Sequence, residues 1–256
     1  MNKVETVVIA GLGEVGKPLL QLMSKYHRVT GVDVSPPATK IPDVDVLHIC
    51  FPYQIKDFVG EVARYVELFE PRLTVINSTV TVGTTRRVAE RVGAAVVYSP
   101  VRGKHANMLQ HMMHYTKFVG ALDSSTAALA AKHFNSAGLK TKILSSPEAT
   151  EIAKLTETTY FGLIIAWAQE VERYADETGQ DYEEIVSFYD EIPFFPPVRY
   201  FPGVIGGHCV MPNIDLLQKL FDSDILRAIQ SSNRKKIERE ARQDNVETER
   251  QTVPAK

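Results

Sequence analysis

A cysteine and a glycine-rich turn are the two features of this chain that together suggest a reaction. Cys209 ends the run PGVIGGHC at residues 202–209. Gly11, Gly13 and Gly16 form a G-x-G-x-x-G sequence near the N-terminus. Glycines at this spacing let a backbone approach the pyrophosphate of a dinucleotide at the start of a helix. A thiol together with a hydride acceptor favours oxidation through a covalent hemithioacetal.

The context of the glycine turn makes a dinucleotide site specific. A β-branched apolar strand is predicted over residues 4–10 and a helix over residues 17–26, so the glycines lie between strand and helix. Asp33 ends the second strand, where a carboxylate accepts hydrogen bonds from ribose hydroxyls and repels a 2′-phosphate. We therefore predict NAD rather than NADP. The predicted cofactor residues are Gly11, Leu12, Gly13, Glu14, Val15, Gly16, Asp33, Val34, Phe51, Pro52, Ser78 and Thr79.

Strands and helices alternate along the first 147 residues, which predicts an α/β domain with a Rossmann-type, doubly wound parallel sheet. Residues 148–232 are predicted to form a smaller all-helical domain. Residues 149–178 contain no Pro and only one Gly, so we expect one long central helix that mediates dimerisation. The highly charged residues 233–256 are predicted to be a flexible tail.

The composition predicts an ordinary globular protein of the cytoplasm. A net charge of −2 gives no electrostatic attraction to nucleic acid or to an anionic membrane. Two cysteines are too few for a disulfide framework, and the N-terminus leads directly into a strand rather than into a secretory signal. No apolar run approaches the ~20 residues that span a bilayer.

Three segments resemble motifs of the UDP-glucose/GDP-mannose dehydrogenase family and occur in that family's order. Residues 78–84 read STVTVGT where the family has STVPVGT. Residues 154–158 read KLTET and resemble the family's Lys-Leu-x-x-Asn stretch, and residues 206–209 read GGHC and resemble its Gly-Gly-x-Cys motif. The resemblance covers about residues 3–217. Residues 218–256 are too few to form the family's third domain, which binds the nucleotide half of the substrate, and another chain could supply it.

The resemblance implies an enzyme that oxidises a primary alcohol of a sugar nucleotide twice with NAD. It assigns Cys209 as the nucleophile that forms the thiohemiacetal and thioester. It assigns Lys154 to oxyanion or acid-base support, which suits a lysine beside a dinucleotide if burial lowers its pKa. Three partner positions depart from the family: Thr158 stands for Asn, Asn213 for Asp and Val101 for Glu. We keep Thr158 and Asn213 as candidate catalytic residues.

Substrate contacts are predicted around the cysteine and in the Pro-rich loop that precedes it. Arg199 could grip a carboxylate or phosphate with two hydrogen bonds, although the loop could equally pack at a subunit interface. Gly206, Gly207 and His208 complete the predicted substrate site. His111 and His114 lie one helical turn apart, but no nearby carboxylate or cysteine completes a ligand set, so we predict no metal.

Three functions remain open on the sequence. The first is an NAD-dependent nucleotide-sugar dehydrogenase of shortened form, acting on a sugar nucleotide or a related sugar or hydroxy acid and forming a homodimer through the long helix. The second is a two-electron dehydrogenase of the 3-hydroxyacid type, which shares a Rossmann domain, a long helix and a catalytic lysine. The third is an NAD-binding scaffold or regulatory subunit without turnover, which the departures at Val101, Thr158 and Asn213 would explain.

Overall fold

The computed structural model describes residues 3–33, 41–103, 107–192, 200–207 and 209–252, with side chains described up to residue 243. Seven strands form one sheet. They are β1 Thr6–Ala10, β2 Arg28–Val32, β3 Val46–Ile49, β4 Leu73–Ile76, β5 Val96–Tyr98, β6 Lys117–Ala121 and β7 Thr141–Ile143.

The sheet has the strand order β2-β1-β3-β4-β5-β6-β7. Strands β1 to β5 run parallel, which confirms the predicted Rossmann-type fold class. Successive side chains of β1 point to opposite faces of the sheet. Val7 and Ile9 pack in one apolar core, and Val8 and Ala10 pack in the other. A strand buried on both faces reads as a continuous apolar run. The order reverses between β1 and β3, so a ligand-binding crevice is expected at their carboxyl ends.

Strand β6 departs from the parallel pattern, because it pairs antiparallel with β5. Its first residue, Lys117, therefore lies at the edge of the sheet where β1 to β5 end. Before it, the structure places a short helix that the sequence did not predict as an element, α4 Met108–His114. Met108 and Met112 of this helix are buried in the same core as Val7.

Nine α-helices are found in the described residues. They are α1 Gly16–Met23, α2 Phe58–Phe69, α3 Thr84–Val92, α4 Met108–His114, α5 Ser124–Ser136, α6 Pro147–Thr178, α7 Tyr182–Ser187, α8 Val210–Gln218 and α9 Asp224–Thr252, with a 3₁₀ turn at Phe188–Glu191. The predicted long central helix is confirmed as α6, which has 32 residues. Within the described residues, no helix is both long and apolar enough to cross a membrane.

The chain divides into two compact units, Met1–Lys154 and Leu155–Lys256. The division falls inside α6, seven residues after the predicted boundary at 147/148, where that helix begins. The first unit contains the sheet and α1 to α5. The second contains most of α6 together with α7, α8 and α9.

Helix α9 continues through residues for which the sequence predicts a flexible tail. Its charges have partners that composition alone does not reveal. Lys236 is only 8% exposed, and its ammonium lies 2.7 Å from a carboxylate oxygen of Glu172 on α6 and 3.5 Å from Glu240 one turn on. Ile229 of the same helix is fully buried. Burial of Ile229 and these ion pairs favour a helix where net polarity suggested disorder.

Candidate active site

The glycine turn after β1 is shaped by close backbone contacts. Gly11 has φ +92° and donates its N–H to Val32 O at 2.8 Å, which joins the ends of β1 and β2. A Cβ on Gly16 would lie 1.8 Å from Gly11 O, so helix α1 can start there only with glycine. A Cβ on Gly13 would meet nothing within 4 Å. Gly11 and Gly16 therefore build the turn, and Gly13 leaves open space above it.

Asp33 lies at the end of β2 beside this turn, as the sequence predicts. Its carboxylate is exposed, and Oδ1 lies 3.5 Å from the N–H of Leu12. The hydroxyl of Tyr65 on α2 donates to the backbone oxygen of Asp33 at 3.2 Å, which holds the strand end in place. The remaining lone pairs of the carboxylate can accept from a ribose diol. Val34, also predicted here, lies outside the described residues.

The segments after β3 and β4 form the next part of this edge. Ser78 donates its hydroxyl to Phe51 O at 2.6 Å, with Ile49 O at 3.3 Å. The ring of Phe51 packs against those of Phe58 and Tyr65, with centroids 5.3 and 5.7 Å apart. Ser78 therefore joins two loops that follow parallel strands. Pro52 and Thr79 lie in these loops, and Glu14 and Val15 precede α1.

A buried carboxylate that sequence reasoning missed anchors α6 in the first unit. Glu151 is fully buried and accepts hydrogen bonds from the N–H groups of Gly83, at 2.6 Å, and Thr85, at 2.9 Å. The Thr85 hydroxyl donates to it at 2.7 Å. Burial raises the pKa of Glu151, while these donors oppose the rise. Glu151 thus satisfies the start of α3, three residues before the half-buried Lys154. The feature that could have pointed to Glu151 is the start of α3 at residues 83–85, which has no capping side chain of its own.

The two cysteines have different environments. Burial raises the pKa of the Cys50 thiol, which ends the buried β3 run, to about 12. Such a thiol carries almost no thiolate at neutral pH and is a poor nucleophile. Cys209 is half-buried and occupies the N-cap position of α8. Helix N-termini favour negative charge, which would stabilise a thiolate or oxyanion formed there.

The candidate residues Thr158 and Asn213 contact each other directly. The Asn213 amide donates to Thr158 Oγ1 at 2.5 Å, and the Thr158 hydroxyl donates to Leu155 O at 3.1 Å. Asn213 is 3% exposed. Helix α8 lies close to α6 in this region, because a Cβ on Gly162 would come within 2.7 Å of Val210. The two departures from the family pattern therefore form a matched neutral pair in the second unit.

The loop that leads to Cys209 is held by two buried amides that sequence reasoning missed. Asn233 of α9 accepts from the N–H of Ile205 at 2.7 Å and donates to its carbonyl at 3.0 Å. Gln169 of α6 donates to Gly203 O at 2.8 Å. An amide that pairs with both backbone groups of one residue fixes the path of the chain. Asn233 was missed because it begins the highly charged segment 233–256, for which the sequence predicts a flexible tail.

The remaining predicted positions lie outside the described residues, beside open space or in an apolar core. Arg199 and His208 lie outside the described residues. Gly206 and Gly207 would each meet nothing within 4 Å of an added Cβ, so the backbone before Cys209 borders open space. Val101 is 9% exposed and packs in a core of the first unit, which leaves this position apolar.

Known proteins share sequence features with this chain. Residues 148–235 match the sequence model of the UDP-glucose/GDP-mannose dehydrogenase family, central domain. This match covers about a third of the chain. A relative over most of the chain is the UDP-N-acetyl-D-mannosamine dehydrogenase of Methanococcus vannielii, 22% identical over 91% of this chain and 66% of that protein. The chain thus spans slightly less than two thirds of this relative's length.

Solved dehydrogenase structures share the fold. The UDP-D-ManNAc dehydrogenase of Pyrococcus horikoshii superimposes with a TM-score of 0.78 at 19% identity, over 90% of this chain and 68% of that one. A 3-hydroxyisobutyrate dehydrogenase of Mycobacterium tuberculosis gives a TM-score of 0.70 at 17% identity, over 91% of this chain and 94% of that one. At these identities the likeness concerns the fold alone.

Proposed function

We propose that the protein is an NAD-dependent dehydrogenase that oxidises a CH–OH group of a sugar nucleotide. The observation that carries this proposal is the nucleotide edge of the first unit, where the glycine turn at residues 11–16 meets the exposed carboxylate of Asp33 at the point where strand order reverses. Similarity to relatives that carry the name UDP-N-acetyl-D-mannosamine dehydrogenase supports the reaction class.

The residues at this edge fit a dinucleotide. Open space above Gly13 admits a pyrophosphate, and the start of α1 presents its N–H groups there. Asp33 would bind the adenosine ribose, and its charge selects against NADP. Leu12, Glu14, Val15, Val34, Phe51, Pro52, Ser78 and Thr79 complete the proposed cofactor site. NAD⁺, when bound, accepts a hydride from the alcohol carbon.

The protein residues would manage the proton and the carbonyl. Lys154 stabilises the alkoxide or takes its proton while the hydride leaves, which yields an aldehyde. The Cys209 thiolate then adds to the aldehyde carbon and forms a thiohemiacetal. Loss of a second hydride from that carbon, with a second NAD⁺ as the acceptor, would give a thioester on Cys209, and water would release the acid and regenerate the thiol. Thr158 and Asn213 would orient this water by hydrogen bonding, without the charge of a carboxylate.

Substrate contacts are proposed for Gly206, Gly207, His208 and Arg199. The first two border open space before Cys209, which suits close approach of a sugar. Arg199 would bind a phosphate of the sugar nucleotide. A sugar or hydroxy acid without the nucleotide is a simpler substrate of the same chemistry.

A second copy of this chain is the proposed partner of α6. Tyr160, Leu163, Trp167 and Tyr174 lie at helical spacing and are each between 40% and 53% exposed in the single chain. Large aromatic side chains are enriched at protein interfaces. A homodimer through this helix would cover them. A cytoplasmic location stays a prediction from the sequence.

A dehydrogenase of the 3-hydroxyacid type is the second candidate. The specific support is the Mycobacterium tuberculosis 3-hydroxyisobutyrate dehydrogenase, of whose length this chain covers 94%. Such an enzyme would move one hydride and would not need Cys209.

The test is NADH formation with UDP-, GDP- and dTDP-sugars and with small hydroxy acids. Cys209→Ala is compared with Cys50→Ala, which removes a thiol whose raised pKa keeps it protonated at neutral pH. We expect NADH with a sugar nucleotide, loss of acid product in Cys209→Ala and normal turnover in Cys50→Ala. Turnover of a hydroxy acid that is insensitive to Cys209→Ala would support the second candidate. Tight NAD binding with no NADH formed across the panel would contradict both and favour a scaffold.

A further inference from the structure

A small cavity lies at the carboxyl edge of the sheet, between the segment that follows β5 and the start of β6. Its lining includes Arg102 from that segment, His111 from α4, Tyr115 from the C-cap of α4, and Lys117 from β6. These residues all belong to the first unit. The cavity volume is about 10 Å³, which is room for about one oxygen atom. It therefore suits one oxygen of a larger group whose remainder stays outside.

Arg102 is held beside the cavity by two aromatic rings. Its guanidinium carbon lies 5.5 Å from the ring centroid of Tyr115 and 5.5 Å from that of Phe118. Stacking of this kind uses the flat face of the guanidinium, and its N–H donors point outward in the plane of the group. A planar fork of donors matches the oxygens of a carboxylate or a phosphate. The two rings thus orient a group that is suited to anions.

The backbone after Arg102 approaches α4 so closely that only glycine fits. Gly103 has φ +133°, and a Cβ there would lie 2.5 Å from the Cβ of His111 and 2.6 Å from its Nδ1. Glycine adopts this conformation without the strain that a side chain would add. The close approach brings Arg102 and His111 into the lining of one cavity.

Lys117 brings a buried positive charge to the wall of the cavity. Its ammonium donates to Ser99 O at 2.7 Å, to Pro100 O at 3.0 Å and to Asn77 Oδ1 at 3.3 Å. Three acceptors match the three N–H groups of an ammonium. Lys117 therefore contributes charge to the cavity, while its own donors are used within the protein.

Buried hydrogen bonds keep the oxygen of Asn77 turned toward Lys117. The amide nitrogen Nδ2 donates to Val75 O at 3.2 Å and to His48 Nδ1 at 3.0 Å. His48 then carries its proton on Nε2, which lies 3.0 Å from His133 Nε2. Because both amide protons are used in this way, the amide oxygen is left to accept from the ammonium. The contacts thus favour the charged form of Lys117.

The charged form of this lysine lies in surroundings that an anion would improve. Burial lowers the pKa of Lys117 to about 7; the charge of Lys154 contributes to the fall, and Cys50 opposes it. An anion within about 4–6 Å of a buried ammonium favours the charged form. The lining contains no carboxylate among the residues that the structure describes.

The surrounding segment carries charge of mainly one sign. Residues 100–147 contain six lysines and arginines and a single carboxylate, Asp123. Asp123 caps α5 by accepting from the N–H of Thr126 at 2.8 Å. It follows the end of β6, whereas Lys117 lies at the start of that strand, so this carboxylate is at the opposite edge of the sheet. The segment therefore gives the cavity a positive potential that attracts anions.

We propose that this cavity binds one anionic oxygen of the substrate, from a carboxylate or a phosphate group, and that Arg102 determines this specificity. Arg102 would donate hydrogen bonds to the anionic group, and the charge of Lys117 would stabilise it. Asn77, which accepts from Lys117, directly precedes Ser78 and Thr79 of the proposed cofactor site. The role in substrate choice rests on the proposed function, whereas the affinity for anions is a property of the first unit alone.

The test follows the methionine methyl groups of the full-length protein by ¹³C spectra. Met112 lines the cavity and is 6% exposed, whereas its neighbour Met113 is 54% exposed and serves as the internal reference. Acetate and inorganic phosphate are added separately at constant ionic strength. We expect a saturable shift of the Met112 resonance with at least one of the two anions, and little change at Met113.

Three variants separate the guanidinium from general charge. Arg102→Gln removes the charge and the fork of donors, so anion binding should weaken at least about tenfold. Arg102→Lys keeps the charge without the fork and should weaken binding less than Arg102→Gln. The control Lys132→Gln removes an exposed cation of the same segment outside the lining, and it should change the affinity by no more than about twofold.

Two sources of the anion are distinguished by the same proteins. Tighter binding of acetate, with a raised KM of Arg102→Gln for 3-hydroxyisobutyrate, would identify a carboxylate. Tighter binding of phosphate, with a raised KM for UDP-glucose, would identify a phosphate.

A Met112 resonance that neither anion shifts would overturn the anion site, and so would equal affinities in wild type and Arg102→Gln. KM values that Arg102→Gln leaves unchanged for every substrate turned over would overturn its role in specificity. Absence of NADH from wild type would instead count against the proposed function, because the spectra do not depend on turnover.

Discussion

Two alanine substitutions in the glycine turn separate its role in folding from its role in binding. At Gly16 the added Cβ would lie 1.8 Å from Gly11 O. Non-bonded carbon and oxygen atoms stay about 3 Å apart or more, so the backbone must move by about 1 Å. Overpacking of this size costs about 3 kcal/mol and lowers the melting temperature by about 10 °C. Gly16→Ala should therefore be unstable and should bind NAD poorly for that reason.

Gly13→Ala is the matched control, because its Cβ meets nothing within 4 Å. Its stability should stay within about 0.5 kcal/mol of wild type. Its methyl group, however, occupies the space through which the pyrophosphate would approach, so NAD affinity should fall at least tenfold, or about 1.4 kcal/mol. Thermal denaturation and isothermal titration with NAD⁺ measure the two effects. A stable Gly13→Ala protein that binds NAD as wild type does would refute the placement of the cofactor over this turn.

Three further predictions concern buried polar groups. Glu151→Ala should lower the free energy of unfolding in urea by about 3 kcal/mol, because three donors at the start of α3 lose their acceptor. The control Arg86→Ala removes the exposed ion pair with Glu148 and should lower it by less than about 1 kcal/mol. Asn233→Asp replaces the donor to Ile205 O with an acceptor, so the loop before Cys209 should shift. The rate of Cys209 alkylation in a thiol-reactivity assay should then change at least threefold, in either direction. An unchanged rate would show that the amide does not position the loop. Burial lowers the pKa of Lys117 to about 7, so above that pH the unfolded chain binds one more proton than the folded chain. The free energy of unfolding should therefore rise by roughly 2 to 3 kcal/mol between pH 7 and 9, relative to that of Lys117→Met. Parallel pH curves for the two proteins would contradict the lowered pKa.

The sequence predicted elements whose signals are local. The glycine turn, the buried strands and the long α6 follow from spacing and periodicity, and each was placed within a few residues. Helix α4 was missed because seven residues carry too few periods to stand out. The antiparallel pairing of β6 was missed because strand direction depends on the path of the connection rather than on the strand's own residues.

Site residues that act through distant partners were the least accessible. Glu151 and Asn233 are polar residues in ordinary helical sequence, and their roles depend on backbone groups 66 and 28 residues away. His48 and His133 lie 85 residues apart, so no spacing rule could join them. By contrast, Gly13, Asp33 and Cys209 could be proposed from the sequence because their motifs are short and the chemistry is carried by neighbouring residues.

The proposed role of Cys209 is to form a covalent intermediate during NAD-dependent oxidation of a sugar nucleotide. The most direct measurement is a single-turnover reaction of wild type with limiting UDP-N-acetyl-D-mannosamine or UDP-glucose and excess NAD⁺, with NADH counted per sugar consumed and Cys209 examined by mass spectrometry. We expect two NADH per sugar, a carboxylate product and a transient thioester on Cys209 that is absent in Cys209→Ala. One NADH per substrate with an unmodified Cys209 would contradict it.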